Sequence, residues 1–278
     1  MSNTLQGEAP PARADTTHAG AHDPADSPLV LALDTATDVR SVAVVRAGRT
    51  LALASEPAGA KGASLVLSQI DAALRAAGVA FADVGLFAVA TGPGSFTGLR
   101  AGLATVKAFA ATTNLRAAGV PTLHAVACAA GPSACTIAAI PAGRGELFAQ
   151  FLRIGADGNV EELTAPAHIK PASLVEQARD FSADAKWVGG GAVAHKDSIH
   201  EAAERAGYGW RELTPLEAHE ERAHAPGWSL IAPFDSYAEQ IARLGLLDWG
   251  KGTTVDAGSL RALYVRPSDA ELNERCRA

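Results

Sequence analysis

Residues 84–102 read VGLFAVATGPGSFTGLRAG, an apolar run that ends in closely spaced glycines and continues into an apolar stripe of helical period. The run is short and rich in Val and Phe, which reads as a buried strand. Leu99, Leu103, Val106 and Ala110, three and four apart, place a helix over residues 98–113. A strand that opens a helix through a glycine turn is the repeating unit of α/β folds. The turn matches neither common phosphate loop. A Walker loop needs Lys directly after its closing glycine, and the dinucleotide fingerprint needs G-x-G-x-x-G, whereas Gly92, Gly94 and Gly98 leave one residue too many. Two readings remain: backbone N–H groups aimed at an anion above the sheet, or Ser95 or Thr97 capping the helix with a side-chain oxygen. Capping is favoured.

Upstream, LVLALDT (29–35), RSVAVVRA (40–47) and TLALAS (50–55) read as three consecutive strands, the last two joined tightly at Ala47-Gly48-Arg49. A helix over residues 64–77 stops at Gly78. The strand and helix of 84–113 follow, then a short strand at 119–122 and a brief helix through Val126. The pattern then restarts. ACTIAAI (134–140), ELFAQFLRI (146–154) and VEELTA (160–165) are strands, followed by helix 172–180, strand KWVGGG (186–191), helix 193–207 and strand WRELT (210–214). Both halves read as three strands, then helix, strand, helix, strand, so a duplicated α/β design is expected. The expected division is a tail over 1–28, one domain over 29–131 and a second over 132–278, with the boundary near Gly131-Pro132. The last segment, a helix over 235–250 and the closing RALYVRP, is expected to return to the first domain. A loop of charged and histidine residues, PLEAHEERAHAPGW (215–228), precedes that helix.

Composition narrows the class. The 278 residues carry 48% apolar side chains and a net charge of −6. In the tail, Glu8, Asp15, Asp23 and Asp26 stand against Arg13, which leaves about −3 for the remainder. Such a body lacks the clustered cations that grip nucleic acid unaided. Cys128, Cys135 and Cys276 form no CxxC pair, so no disulfide framework or zinc knuckle is signalled and a reducing cytoplasm is expected. No apolar run approaches the roughly 20 residues of a membrane span. The tail has no basic start and no apolar core of a signal peptide, and with Leu5 as its only large aliphatic beyond Met1 it is expected to be disordered.

The second helix has two apolar faces. Besides the stripe above, Gly98, Gly102, Thr105 and Phe109 line up, and in the first helix Leu65 and Leu67 lie outside the main stripe of Val66, Ile70, Ala73, Leu74 and Ala77. A second apolar face means either burial against a neighbour in the same domain or a further partner.

LALDTAT, VATGPGSFTGLRAG and the closing ALYVR resemble the TsaB family of the tRNA threonylcarbamoyladenosine-forming system, over residues 29–266. That resemblance implies a duplicated actin-like ATPase (RNase H-like) fold, two domains each with a mixed sheet and flanking helices. It implies a non-catalytic scaffold that binds a TsaD-type catalytic paralogue, is joined by a TsaE-type ATPase through the complex, meets tRNA only there, and forms a homodimer when the partner is absent. The docking surface is expected on the two helices, at Leu65, Leu67, Ile70, Leu74, Phe96, Leu99, Gly102, Leu103 and Val106. The alternative is a small-molecule kinase or ATPase of the same superfamily.

The paralogue carries two metal-binding histidines four apart in GVNHLEGH. Aligned on Gly119 and Val120, this chain has Thr122 and Val126 in their places, with His124 between. No metal is expected. His219 and His224 are five apart, about 140° around a helix, so they cannot share one ion from one face, and His195 and His200 fail likewise. Asp34, Thr35 and Thr37 resemble the phosphate turn of superfamily kinases, with Ala36 in place of a glycine, and Gly189 and Gly190 resemble the adenosine-side motif. With Gly92, Gly94 and Ser95 they form a vestigial nucleotide site that is expected to hold ATP weakly or not at all, and no cofactor is expected.

Overall fold

The computed structural model describes residues 27–57, 64–220 and 226–265. The tail through residue 26, whose disorder the sequence predicts, lies outside them. β1 (Leu29–Asp34), β2 (Val39–Arg46) and β3 (Arg49–Pro57) form an antiparallel meander. β4 (Val84–Gly92) joins β1 in parallel and β5 (Ala117–Pro121) joins β4, giving the order β3-β2-β1-β4-β5. The second sheet repeats this plan. β6 (Ser133–Gly143) and β7 (Glu146–Ile154) form the hairpin, and β8 (Val160–Glu162) and β9 (Ala167–Ile169) pair with β7. β10 (Ala185–Val188), β12 (Gly227–Ile231) and β11 (Gly209–Leu213) run parallel to β6, in the order β8-β7-β6-β10-β12-β11. Even the hairpin turns correspond. Ala47-Gly48 (φ 49° and 74°) and Arg144-Gly145 (φ 55° and 75°) both have two positive φ values, the two-residue turn whose twist suits flanking strands.

Helices cover both faces of each sheet, which is why Val42, Ala43, Val44 and Val45 are all buried instead of alternating. α1 (Ser64–Ala77) and α2 (Phe96–Thr113) cover one face of the first sheet, where Ile70, Leu74, Leu103 and Val106 pack on Leu31, Val44, Phe87 and Val89. Its other face is covered by α8 (Ala238–Gly250) from the far end of the chain, with Ala238, Ile241 and Ala242 on Val30, Ala32 and Ala88. The helix lies so close that a Cβ on Gly245 would meet those of Ala88 and Ala118 at 2.9 and 3.3 Å. α3 (Thr122–Ala129) makes the reciprocal move. Its Leu123, Val126 and Ala127 pack on Ile140, Leu152 and Val188 of the second sheet. α4 (Pro171–Phe181), α5 (Gly190–Ala194) and α6 (Lys196–Ala206) cover the opposite face, over Trp187 and Trp228.

The structure corrects the sequence reading in three places. The strand equivalent to β5 in the second sheet is β12, not residues 210–214, which form an added edge strand, β11. β12 was hidden because all five of its residues are buried, so it shows no alternation, and a charged segment precedes it. Within that segment α7 (Pro215–Glu220) is helical. The single helix expected over 193–207 is two, α5 and α6, broken at His195.

Candidate functional site

β1 and β4 end side by side, and the turns that follow them interlock. Asp34, the last residue of β1, is fully buried. Its Oδ1 accepts hydrogen bonds from the amides of Ala36 (2.8 Å) and Thr37 (3.3 Å), and its Oδ2 from the Thr37 hydroxyl (2.5 Å). Burial pushes this carboxyl up to about 6, against the pull of those hydrogen bonds. The glycine loop seats on the same turn: the Ser95 amide donates to the Ala36 carbonyl (2.8 Å), and the Thr35 hydroxyl donates to the Gly98 carbonyl (2.7 Å). Closeness requires the glycines. A Cβ on Gly94 would stand 2.4 Å from the Ala36 oxygen, on Gly98 1.8 Å from the Thr35 oxygen, and on Gly102 2.3 Å from Thr35 Oγ1. Ser95 caps α2, its Oγ accepting from the Gly98 amide at 3.3 Å. The amides of Ala36, Thr37, Ser95 and Gly98 are thus engaged inside the double turn. Gly92, joined to Pro93 by a cis peptide, lies beneath the carbonyl of Leu263, whose amide donates to Thr91.

Of the residues expected in a nucleotide site, Asp34, Thr35, Thr37, Gly92, Gly94 and Ser95 lie in the two interlocked turns, and Gly190 approaches them beside Asp38, with Gly189 next to it against Ala139, at the edge of a cleft. A Cβ on Gly190 would lie 3.0 Å from Asp38 Oδ2, and one on Gly189 2.4 Å from the Ala139 oxygen. Residues 36–38, 93–96, 140–143 and 263–265 border this cleft of about 590 Å³. Arg100 places its Cζ 3.9 Å over the Phe96 ring, and Tyr264 lies 5.6 Å from that ring, centroid to centroid.

Thr122 and Val126, the positions aligned with the paralogue's metal-binding histidines, are interior. Thr122 Oγ1 accepts from the Gly92 amide (3.1 Å), and Val126 packs against Gly189. His124 points away, its Nε2 2.9 Å from Glu162 Oε1, and burial lowers its pKa against the opposing pull of Glu162. His200 stacks on Trp210, His219 Nδ1 donates to the Pro215 carbonyl, and His224 lies outside the described residues. Among the described residues no three His, Cys, Asp or Glu side chains form a metal-sized group.

Of the nine residues expected on a docking surface, Leu67 (54% exposed) and Phe96 (40%) face solvent. Ile70, Leu74, Leu99, Gly102, Leu103 and Val106 are buried in the chain's own core, and the Leu65 side chain lies outside the described residues. The physical reason is that α2 is wedged between the sheet and the β1 turn. Its first stripe packs on β4; of its second, Gly98 and Gly102 abut Thr35, and Phe109 packs on Phe81 and Phe87. What remains outside is a third line, Arg100, Ala104, Ala108 and Ala111. Sequence periodicity gave no prominence to this line because alanine reads as core or surface alike. Tyr264 was visible in ALYVR, but nothing local placed it against Phe96.

The family model described as "TsaD: tRNA N6-adenosine threonylcarbamoyltransferase" matches residues 56–202. The Escherichia coli (strain K12) tRNA threonylcarbamoyladenosine biosynthesis protein TsaB is 30% identical over 171 residues, 60% of this chain and 74% of that protein. YeaZ from Pseudomonas aeruginosa shares the fold with a TM-score of 0.66 at 24% identity, covering 85% of this chain and 99% of that one. A second structure, described as an uncharacterized protein with similarity to peptidase YeaZ from Pseudomonas aeruginosa, gives 0.64 at 24%, covering 86% and 100%. The duplicated actin-like architecture and the sequence relatives agree: this chain belongs to the TsaB family, within the wider group that the TsaD model describes.

Proposed function

We propose that this chain is a non-catalytic subunit in the formation of threonylcarbamoyladenosine in tRNA, binding a TsaD-type catalytic paralogue and supporting its transfer to the adenosine next to the anticodon. The TsaE-type ATPase and tRNA are reached through that complex in the cytoplasm, and a homodimer forms when the paralogue is absent. The observation that carries this reading is burial: Thr122 and Val126, the positions aligned with the paralogue's metal-binding histidines, lie in the chain's own core, against Gly92 and Gly189. Asp34, at the head of the phosphate turn, is fully buried. On the outer face, the first unit (residues 29–131) offers Leu67 on α1 and the line of small side chains on α2. Alanines let a partner helix approach closely, and interaxial distances of about 8–10 Å depend on the side chains at the contact. One such patch can serve a symmetric dimer or a pseudo-symmetric heterodimer.

The test is reconstitution. Modified adenosine in tRNA is measured by mass spectrometry with the TsaD-type subunit, the ATPase and the enzyme supplying the activated threonylcarbamoyl group, with and without this chain. Product is expected only when both this chain and the catalytic subunit are present. Transfer by this chain without the catalytic subunit would sink the proposal, as would undiminished transfer in its absence.

A further inference from the structure

At the mouth of the cleft three side chains stand together on the surface. Phe96 belongs to the first turn of α2, Arg100 to the next, and Tyr264 to the segment that crosses Gly92. Phe96, Leu263 and Tyr264 are among the large apolar residues left exposed, at 40%, 38% and 50%. Arg100 lies with its guanidinium carbon 3.9 Å over the Phe96 ring, and no carboxylate within ion-pair distance holds it among the described residues. A guanidinium laid on a ring uses its face for the π contact, and its N–H donors point outward in the guanidinium plane. The result is a cation pre-positioned by an aromatic platform, with its hydrogen-bonding edge unpartnered among the described residues and apolar surface beside it. Aromatic residues and Arg are the composition of binding hot spots.

We propose that Phe96, Arg100 and Tyr264 anchor the catalytic paralogue, with Arg100 taking a carboxylate side chain of that subunit and the two rings taking an apolar neighbour of the carboxylate. This rests on the docking reading above and deepens it. Two observations select this occupant. Arg100 begins the same exposed line that continues through Ala104, Ala108 and Ala111, so the anchor is contiguous with the proposed helical contact. Its positive charge, without an ion-pair partner among the described residues, sets the sign of the group that fits. Planarity sets the geometry, because two parallel N–H···O bonds to a carboxylate are open to Arg and closed to Lys.

The experiment measures affinity of the full chain for the TsaD-type subunit of the same organism by calorimetry at two salt concentrations, with circular dichroism to verify folding. Arg100 is exposed, so its substitution does not threaten the core. Arg100→Glu, Phe96→Ala and Tyr264→Ala are each expected to weaken binding at least tenfold, and Arg100→Lys to restore only part of the loss. The salt dependence of the affinity is expected to shrink in Arg100→Glu. Ala108→Arg, farther along the helix, reports on docking by itself. If Ala108→Arg loses binding while Arg100→Glu and both ring variants keep it, the anchor is wrong and the docking face stands. If no variant changes the affinity, or the unaltered proteins do not associate, both readings fall. If sedimentation shows Arg100→Glu dissolving a homodimer while heterodimer affinity is unchanged, the occupant is a second copy and the proposal is overturned.

Discussion

Replacing Asp34 by Asn is expected to stabilise the protein at neutral pH and leave it unchanged in acid. Asp34 has no solvent contact, and burial raises its carboxyl from the usual 3.8 to about 6. At about 1.4 kcal/mol per pH unit, this displacement is worth about 3 kcal/mol. The sign follows from proton uptake. Between 3.8 and 6 the folded chain holds a proton that the unfolded chain has released, so the contribution is fully present below pH 4 and lost as pH rises through 6. Above that, the fold carries a buried charge.

Asn removes that charge and keeps the hydrogen bonds. Its carbonyl oxygen can accept from the Ala36 and Thr37 amides in place of Oδ1. Its NH2 can donate to Thr37 Oγ1, whose own proton then goes to the Val39 carbonyl, already 3.0 Å away. At pH 7.5 the gain is therefore up to about 3 kcal/mol, a rise in Tm of roughly 6–12 °C for a chain of this size. Thermal melts from pH 4 to pH 8 on both proteins give the answer: the curves should coincide at pH 4 and separate through pH 6. Parallel curves, or a variant less stable at pH 7.5, would show that the carboxylate charge is compensated within the fold and that Asp34 carries no burial penalty. Reconstituted transfer to tRNA should survive the substitution if Asp34 is a structural residue and not a catalytic one.

Two further predictions concern packing. Gly98→Ala should lower Tm sharply, at a cost of about 3 kcal/mol, because the new methyl would overlap the Thr35 carbonyl at 1.8 Å and neither backbone segment is free to retreat. Differential scanning calorimetry measures it; an unchanged Tm would show that the two turns are not in contact. Lys186→Met should cost about 3 kcal/mol in urea denaturation and speed hydrogen exchange at Gly131 and Ser133, since the buried ammonium donates to the carbonyls of Ala130, Pro132 and Ala218. Unaltered exchange there would mean those carbonyls find other donors.

Much of the fold could be read from residues 29–113, and the reason is local. Strand β2 is a Val run bounded by a two-residue turn, α1 has a clear stripe and a glycine stop, and Ser95 sits where an N-cap belongs. The capping reading of the glycine loop follows from chemistry that acts over three residues. What sequence could not supply was depth. Leu103 and Val106 carry the same apolar signal whether they face a sheet or a partner, and only the sheet beneath them decides. β12 failed for a related reason, being too short and too uniformly apolar to show a period. In the Phe96–Arg100–Tyr264 cluster, Tyr264 comes from at least 164 residues away, which no local pattern reports.

The strands divide near Gly131-Pro132, but the helices do not, and this bears on how the proposed docking face is held. α1 and α2 press on one face of the first sheet, and the opposite face of that sheet is covered by α8, which follows the whole second sheet in sequence. Remove α8 and Val30, Ala32, Leu86 and Ala88 lose their cover; remove α3 from the second sheet and Ile140, Leu152 and Val188 lose theirs. At roughly 25 cal/mol per Å² of apolar surface, such a face is worth several kcal/mol, comparable with the whole stability of a typical domain. Lys186 adds a fixed point at the crossing by tying the end of α3 to α7. The proposed docking face is thus backed by elements from both halves of the chain.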